Sequence, residues 1–160
     1  MVMENNSQNK KSINQNNKSL KSSDIHKVLN EKNYVTVAEG VIKLLSSMSK
    51  DNRNGKIEMV TNSKIRNLLS MSANIYNEIM VDTRITDDKL PDDLNGKIEY
   101  LRVRFVYEAG RENKVKQLVE KADLIELLKT IRGSKRRYEL FYHYMEALVA
   151  FKKFYNDNDD

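Results

Sequence analysis

The 160-residue chain lacks cysteine and tryptophan entirely and contains one proline and five glycines. Without cysteine it can form no disulfide bond, carries no thiolate nucleophile and cannot bind zinc through sulfur. No glycine-rich phosphate loop, nucleophile elbow or paired-histidine motif occurs either. With two histidines in all, a catalytic site would have to consist of Asp, Glu, Lys or Tyr alone, and no such set stands out. We therefore expect no bound cofactor and no metal.

Long apolar runs are also missing. No segment approaches the roughly 18 uninterrupted apolar residues of a membrane-spanning helix. The N-terminus mixes Asn, Ser, Gln and Lys and has no apolar core of a secretory signal. We expect a cytoplasmic protein with no membrane partner.

The composition divides the chain into three parts. Residues 1–33 are too polar to bury and are predicted to be a disordered leader, residues 34–156 one folded domain, and residues 157–160 an acidic tail. The folded part carries 22 basic and 17 acidic side chains. This mild positive excess favours nucleic acid or phosphate as the partner.

Apolar residues recur at three- and four-residue steps, and no stretch alternates with period two. The pattern predicts an all-α bundle of about five helices. Thr61 and Ser134 are expected to cap the second and fifth helices through their hydroxyls. The predicted helices span residues 35–48, 61–81, 91–109, 115–132 and 134–155. The fifth is apolar almost all round and should be central.

The third predicted helix has one basic edge. Lys97, Arg104 and Arg111 fall within about 40° of one another on a helix of 3.6 residues per turn. Because Val103 and Val106 cover much of the back, this helix is also predicted to lie centrally in the bundle. A basic row on its one free edge suggests contact with a polyanion. The alternative is ordinary solvated charge, partnered by Glu108.

Two further basic groups flank the bundle. The first combines the loop after the first helix with the start of the second helix, where two cations lie about 200° apart; its members are Lys50, Arg53, Lys56, Lys64 and Arg66. The second straddles the start of the fifth helix and could use the helix terminus to hold an anion, or be a solvated corner; its members are Arg132, Lys135, Arg136 and Arg137.

Other candidate residues have two interpretations each. Tyr100 and Tyr107 could stack on bases, although a place in the core is favoured. His143 is expected to be structural. The aspartates around Pro91 could hold Mg²⁺, but they fit better as negative charges at a helix start.

Three segments together resemble a known family. They are residues 60–70 (VTNSKIRNLLS), 100–111 (YLRVRFVYEAGR) and 144–155 (YMEALVAFKKFY). In this order they resemble the Csm small subunit of type III-A CRISPR interference complexes, over about residues 33–155.

The resemblance implies a small, non-catalytic, all-helical subunit that serves antiviral and anti-plasmid defence. Several copies would stack head to tail, as in a filament, beside the backbone subunits that hold the guide RNA. Their basic surfaces would contact phosphates of the target RNA paired with the guide. Target cleavage would belong to the backbone subunits, and DNA cleavage and cyclic oligoadenylate synthesis to the large subunit.

The resemblance and the basic groups together give the expected RNA-binding residues. Lys64, Arg66, Arg102 and Arg111 lie within the matched segments, whereas Arg104 departs from a close relative. The full set is Lys50, Arg53, Lys56, Lys64, Arg66, Arg102, Arg104, Arg111, Lys135 and Arg136.

Two other functions stay open on the sequence. One is a small helical DNA-binding regulator, although no short turn precedes a polar recognition helix. The other is a metal-dependent nuclease that uses the aspartates between residues 87 and 93.

Overall fold

A computed structural model describes residues 24–51 and 58–156. Seven helices account for most of them: α1 (Ile25–Val28), α2 (Tyr34–Lys50), α3 (Asn62–Val81), α4 (Asp92–Arg111), α5 (Asn113–Lys121), α6 (Leu124–Thr130) and α7 (Lys135–Tyr155). The described ranges contain no strand, only an isolated bridge between Lys89 and Ser134. The predicted all-α class is confirmed. The acidic tail, Arg53, Lys56 and most of the predicted leader lie outside the described residues.

The predicted helix starts are confirmed where a cap is local. The Thr61 hydroxyl accepts the Lys64 amide at 3.3 Å, and the Ser134 hydroxyl accepts the Arg137 amide at 3.2 Å. Asp92 and Asp93 occupy the first turn of α4. These contacts satisfy amides that have no partner within the first turn of a helix.

The predicted fourth helix is two helices. Asp123 adopts a left-handed backbone conformation, with φ of 58°, and separates α5 from α6. Its carboxylate accepts the His26 amide at 2.8 Å and contacts His26 Nδ1 at 2.6 Å. The apolar spacing of the sequence continues through this break and therefore does not reveal it. The turn is held by contacts between Asp123 and His26, which lies 97 residues away in the chain.

The fold also begins earlier than Tyr34. Ile25 is only 3% exposed, and α1 packs against α6. In the sequence, the isolated apolar residues of this segment are surrounded by polar ones, so composition does not reveal that they are buried. The residues from Asp24 onward therefore form part of the folded unit.

Helix α7 lies in the middle of the bundle, as predicted, with α2, α3 and α6 packed on it. Its fully buried rings include Tyr138, Phe141 and Tyr144. The Tyr138 hydroxyl donates to the Ser72 carbonyl at 2.6 Å, and Tyr144 donates to the Ala122 carbonyl at 3.2 Å. Burial raises the pKa of both phenols. Each buried hydroxyl thus has an acceptor, which offsets its loss of water.

The predicted central place of α4 is wrong. Leu101 and Phe105 face the core, but Tyr100, Val103 and Tyr107 are 63%, 58% and 55% exposed. Because α4 packs on α3, α5 and α6 from one side only, its opposite face stays open. The expectation that the two tyrosines belong to the core is therefore also wrong. Within the described ranges, no helix has the length and apolar character needed to cross a bilayer.

Candidate nucleic-acid interface

Lys64, of the first basic group, lies where α3 begins and α4 ends. Lys64 Nζ is 3.1 Å from Glu112 Oε2, and Lys114 Nζ is 2.7 Å from Glu58 Oε2. These pairs hold the start of α3, the junction of α4 with α5 and the residues after the basic loop side by side. Lys50, at the end of α2, is exposed. The fold therefore gathers Lys64 and Arg111 near Glu58.

The basic row of α4 has carboxylate partners. Lys97 pairs with Glu78, and Glu108 lies between Arg104 and Arg111, at 3.7 and 3.9 Å from their guanidinium nitrogens. Glu108 is only 8% exposed, so it is a fixed internal partner. The Arg111 guanidinium also lies over the Tyr107 ring, 5.4 Å from its centre. The row is thus exposed, but partly neutralised by Glu108.

Arg66, like Lys50, has no carboxylate within 4 Å in the described part of the chain. Its side of α3 is about 200° away from that of Lys64. Arg102 likewise lies about 200° from Arg104 on α4. It pairs with Glu99 and lies near Glu126 of α6, whose pKa it helps to lower after the larger effect of Lys129. Neither Arg66 nor Arg102 joins the Lys64 and Arg111 group.

The cations at the start of α7 surround an internal anion. Asp88 accepts the Ser134 hydroxyl at 2.7 Å and the Arg136 amide at 2.8 Å through its carboxylate. Its carbonyl oxygen accepts the Lys135 amide at 2.7 Å. These hydrogen bonds, that of Ser134 above all, lower the pKa of Asp88. The helix terminus that could have held a ligand is therefore already capped by the protein itself.

The side chains of that second group are also paired. Arg136 donates to both carboxylate oxygens of Glu31, at 2.8 and 3.1 Å, and Lys135 is 3.9 Å from Glu139. Arg132 and Arg137 have no carboxylate within 4 Å among the residues the structure describes. Lys89 also has no carboxylate within 4 Å among these residues. In the sequence it lies among four aspartates, so the pattern of charges indicated no role for it.

The Lys64 and Arg111 group lies at the end of α4, and the cations around the start of α7 lie near its beginning. Gly133, just before α7, is so close to Asn95 that a Cβ there would lie 3.4 Å from the Asn95 side chain. Lys64 meets Glu112 just beyond the other end of α4. The 16 residues from Asn95 to Arg111 correspond to about 24 Å at a rise of 1.5 Å per residue. A single extended polyanion along this helix could reach both groups.

The remaining candidates have structural surroundings. His143 lies 3.1 Å from Glu146 and contacts the rings of Tyr34, Tyr76 and Tyr142. The aspartates before α4 divide between two tasks: Asp88 caps α7, while Asp93 binds Arg84 at 3.0 Å. No group of three metal-binding side chains occurs in the described ranges.

The turn between α6 and α7 is short enough for a helix-turn-helix, but α7 is buried against α2 and α3. It cannot enter a DNA groove, so the geometry does not favour the regulator.

Comparison with known proteins identifies the family of the chain. A family model described as Csm2 Type III-A matches residues 38–158. The "CRISPR system Cms protein Csm2" of Streptococcus thermophilus is 42% identical over 132 residues, covering 82% of this chain and 98% of that protein. The protein of the same name from Mycobacterium tuberculosis is 42% identical over 100 residues, covering 62% and 78%. That from Enterococcus italicus is 37% identical over 117 residues, covering 69% and 81%. The chain therefore belongs to the type III-A Csm2 family, as the three sequence segments indicated.

Proposed function

We propose that this chain is the non-catalytic small subunit of a type III-A CRISPR effector complex and holds the backbone of target RNA paired with guide RNA. Family membership supports the complex, and one observation carries the RNA contact. Exposed cations lie at both ends of α4, about 24 Å apart by helix rise, with Lys64 paired to Glu112 near one end and Arg136 paired to Glu31 near the other. Base pairing reads the sequence, so the protein needs only charge and shape.

The ion pair of Lys64 with Glu112 is weak enough for RNA to replace it, because exposed pairs contribute about 0–1 kcal/mol. Glu108 is buried, so it stays beside Arg104 and Arg111 and reduces their attraction for phosphate. If one copy contacts about three phosphates of a single strand, the logarithm of its affinity should fall with the logarithm of salt concentration with a slope of roughly −2. Such weak binding becomes effective when several copies are linked along one RNA.

Charge reversal tests the RNA contact. In the assembled complex, Arg66→Glu and Arg111→Glu should each weaken capture of target RNA, because both replace an exposed cation by an anion. Lys129→Glu is a matched control, since Lys129 pairs with a glutamate three residues away on its own helix, as Arg111 does. All three variants should keep wild-type helicity by circular dichroism. Equal capture by all four proteins would refute the RNA contact, and loss of helicity would show a structural role.

We also propose that copies stack through two different apolar surfaces. The open face of α4 exposes Val103 and the two tyrosines, whereas Leu44 of α2 and Phe154 of α7 are exposed elsewhere on the bundle. Helix α2 packs mainly on α7, whereas α4 packs on α3, α5 and α6, so the two apolar surfaces lie on different helices. Contact of one surface with the other on the next copy builds an open chain instead of a closed dimer.

Capping variants test this arrangement. Val103→Glu and Phe154→Glu should each reduce the number of copies in the purified complex, measured by native mass spectrometry. A mixture of the two variants should restore pairs, because one intact surface of each type remains. Unchanged copy number in both variants would refute stacking through these surfaces, and Lys129→Glu again controls for added charge.

A further inference from the structure

A cavity of about 340 Å³ lies between α1, α6 and the start of α7. Leu29 and Leu140, both partly exposed, form accessible parts of its apolar wall. Its polar lining consists of His26, Thr130, Arg132 and Arg137, and no carboxylate lines it. The volume lies within the range of small-molecule sites, about 300–1,000 Å³. The cavity thus combines positive charge with an apolar wall.

Among the described residues, no carboxylate lies within 4 Å of the two arginines of this cavity, although Asp88 attracts Arg137 from farther away. Arg137 donates from Nη1 to the Thr130 carbonyl at 2.8 Å, which fixes the guanidinium beside the cavity. A carbonyl oxygen carries no net charge, so the cation stays available to an anion. Arg132 makes no ion pair with the described residues. The neighbouring Arg136, in contrast, is held by Glu31.

The backbone at Arg132 indicates that a cation at this position has a role. Its φ is 45°, a left-handed conformation that glycine or asparagine adopts more easily than a long side chain. Gly133, the next residue, has φ of 74° and lies in the same turn. An arginine in such a turn strains the backbone while placing its guanidinium beside the cavity.

His26 adds a third polar group whose orientation is fixed. Its Nδ1 lies 2.6 Å from Asp123 Oδ2, and its amide donates to the same oxygen at 2.8 Å. Nε2 is therefore the ring nitrogen left for a ligand. Because His26 lies in α1 and Leu29 directly follows this helix, α1 and the residue after it form one wall of the cavity.

We propose that this cavity binds a nucleoside phosphate. The phosphate lies between Arg132 and Arg137, where two guanidinium groups offer charge-assisted hydrogen bonds, and the base or ribose packs against Leu29 and Leu140. The ligand is a free nucleotide or one nucleotide of an RNA strand, since both present the same phosphate and apolar ring. The second source rests on the proposed function, whereas the first does not.

Isothermal titration of the full chain tests the site with three probes: adenosine monophosphate, inorganic phosphate, and a single-stranded RNA 12-mer with hydroxyl groups at both ends. Arg132→Asn removes the cation and keeps the left-handed turn, and Arg137→Gln keeps a donor for the Thr130 carbonyl. Each should weaken binding of the monophosphate or of the 12-mer by at least about tenfold. Arg132→Lys, the charge-matched control, should weaken it by much less.

The probes separate the sources of the ligand and can overturn the proposal. Dependence of monophosphate binding on both arginines supports a free nucleotide, and dependence of 12-mer binding alone supports an RNA nucleotide. If neither probe depends on Arg132 and Arg137, with helicity unchanged in the variants, the site does not exist. If inorganic phosphate binds as tightly as the monophosphate, the apolar wall takes no part and the nucleoside assignment is wrong. Loss of RNA capture in Arg111→Glu with intact monophosphate binding would separate this site from the Lys64 and Arg111 group.

Discussion

Asp88→Ala should destabilise the fold although Asp88 lies in an exposed loop. The substitution removes the hydrogen bonds from the Ser134 hydroxyl and the Arg136 amide and leaves the carbonyl bond from Lys135 intact. Loss of a capping side chain costs about 0.5–2 kcal/mol. Loss of a negative charge beside a helix N-terminus adds about 0.3–1 kcal/mol. The free energy of unfolding should therefore fall by about 1–2.5 kcal/mol and the melting temperature by about 3–8 °C.

The penalty should depend on pH in a defined direction. The folded state lowers the pKa of Asp88, so the unfolded chain binds the proton more readily. The stabilisation is then complete above the unfolded pKa of about 3.9 and is lost as the pH falls through the lower folded value. The difference between wild type and Asp88→Ala should be full at neutral pH and shrink below about pH 4.

Urea denaturation followed by circular dichroism measures this difference. Asp87→Ala is the matched control, because Asp87 accepts the Lys89 amide at 2.9 Å and no other hydrogen bond from the residues that the structure describes, and it should cost less than about 0.5 kcal/mol. Equal losses in both variants, or a loss for Asp88→Ala that persists unchanged at pH 2, would refute this explanation. Asp88→Ala should also bind single-stranded RNA more tightly at low salt, because Lys135 and Arg136 then lack the nearby Asp88 carboxylate.

Three further changes test other parts of the structure. Glu108→Gln should raise RNA affinity and steepen its salt dependence, because Arg104 and Arg111 lose their shared carboxylate; an unchanged affinity in filter binding would contradict a role for this row. Asp123→Gly should cost less stability than Asp123→Ala, since both lose the His26 contacts but only alanine resists the left-handed turn; equal denaturation midpoints would speak against that difference. Tyr138→Phe should cost about 1 kcal/mol by leaving the buried Ser72 carbonyl without its hydroxyl donor, and thermal melts indistinguishable from wild type would disprove it.

Features that depend on neighbouring residues could be predicted from the sequence. Thr61 and Ser134 cap their helices through amides three residues away, so spacing along the chain contains the whole interaction. The end of α3 at Val81 and the buried α7 likewise follow from apolar spacing. Asp88 capping α7 and Asp123 holding His26 involve partners 46 or more residues apart, which no local pattern contains.

In the candidate interface, too, the sequence predicted local features but not the contacts between residues that are far apart in the chain. The sequence identified the exposed cations and, through three segments, the family. It suggested Glu108, which lies within one turn of Arg104 and Arg111, as a partner of the basic row. It could not show that Glu31 partners Arg136, or that no carboxylate of the described residues pairs with Arg132 and Arg137 beside a cavity. It also placed Tyr100 and Tyr107 inside, because an apolar helix face looks the same whether a neighbouring helix covers it or not.

The sequence by itself determined α2, α3, α4 and α7, the caps at Thr61 and Ser134 and the positive charge, since each depends on residues within about two turns of one another. Tertiary structure decided which cations are neutralised, which face of α4 stays open and where the folded unit begins. The physical reason is that ion pairing and burial depend on distances in space, and those are fixed only when α1, α6 and α7 pack together.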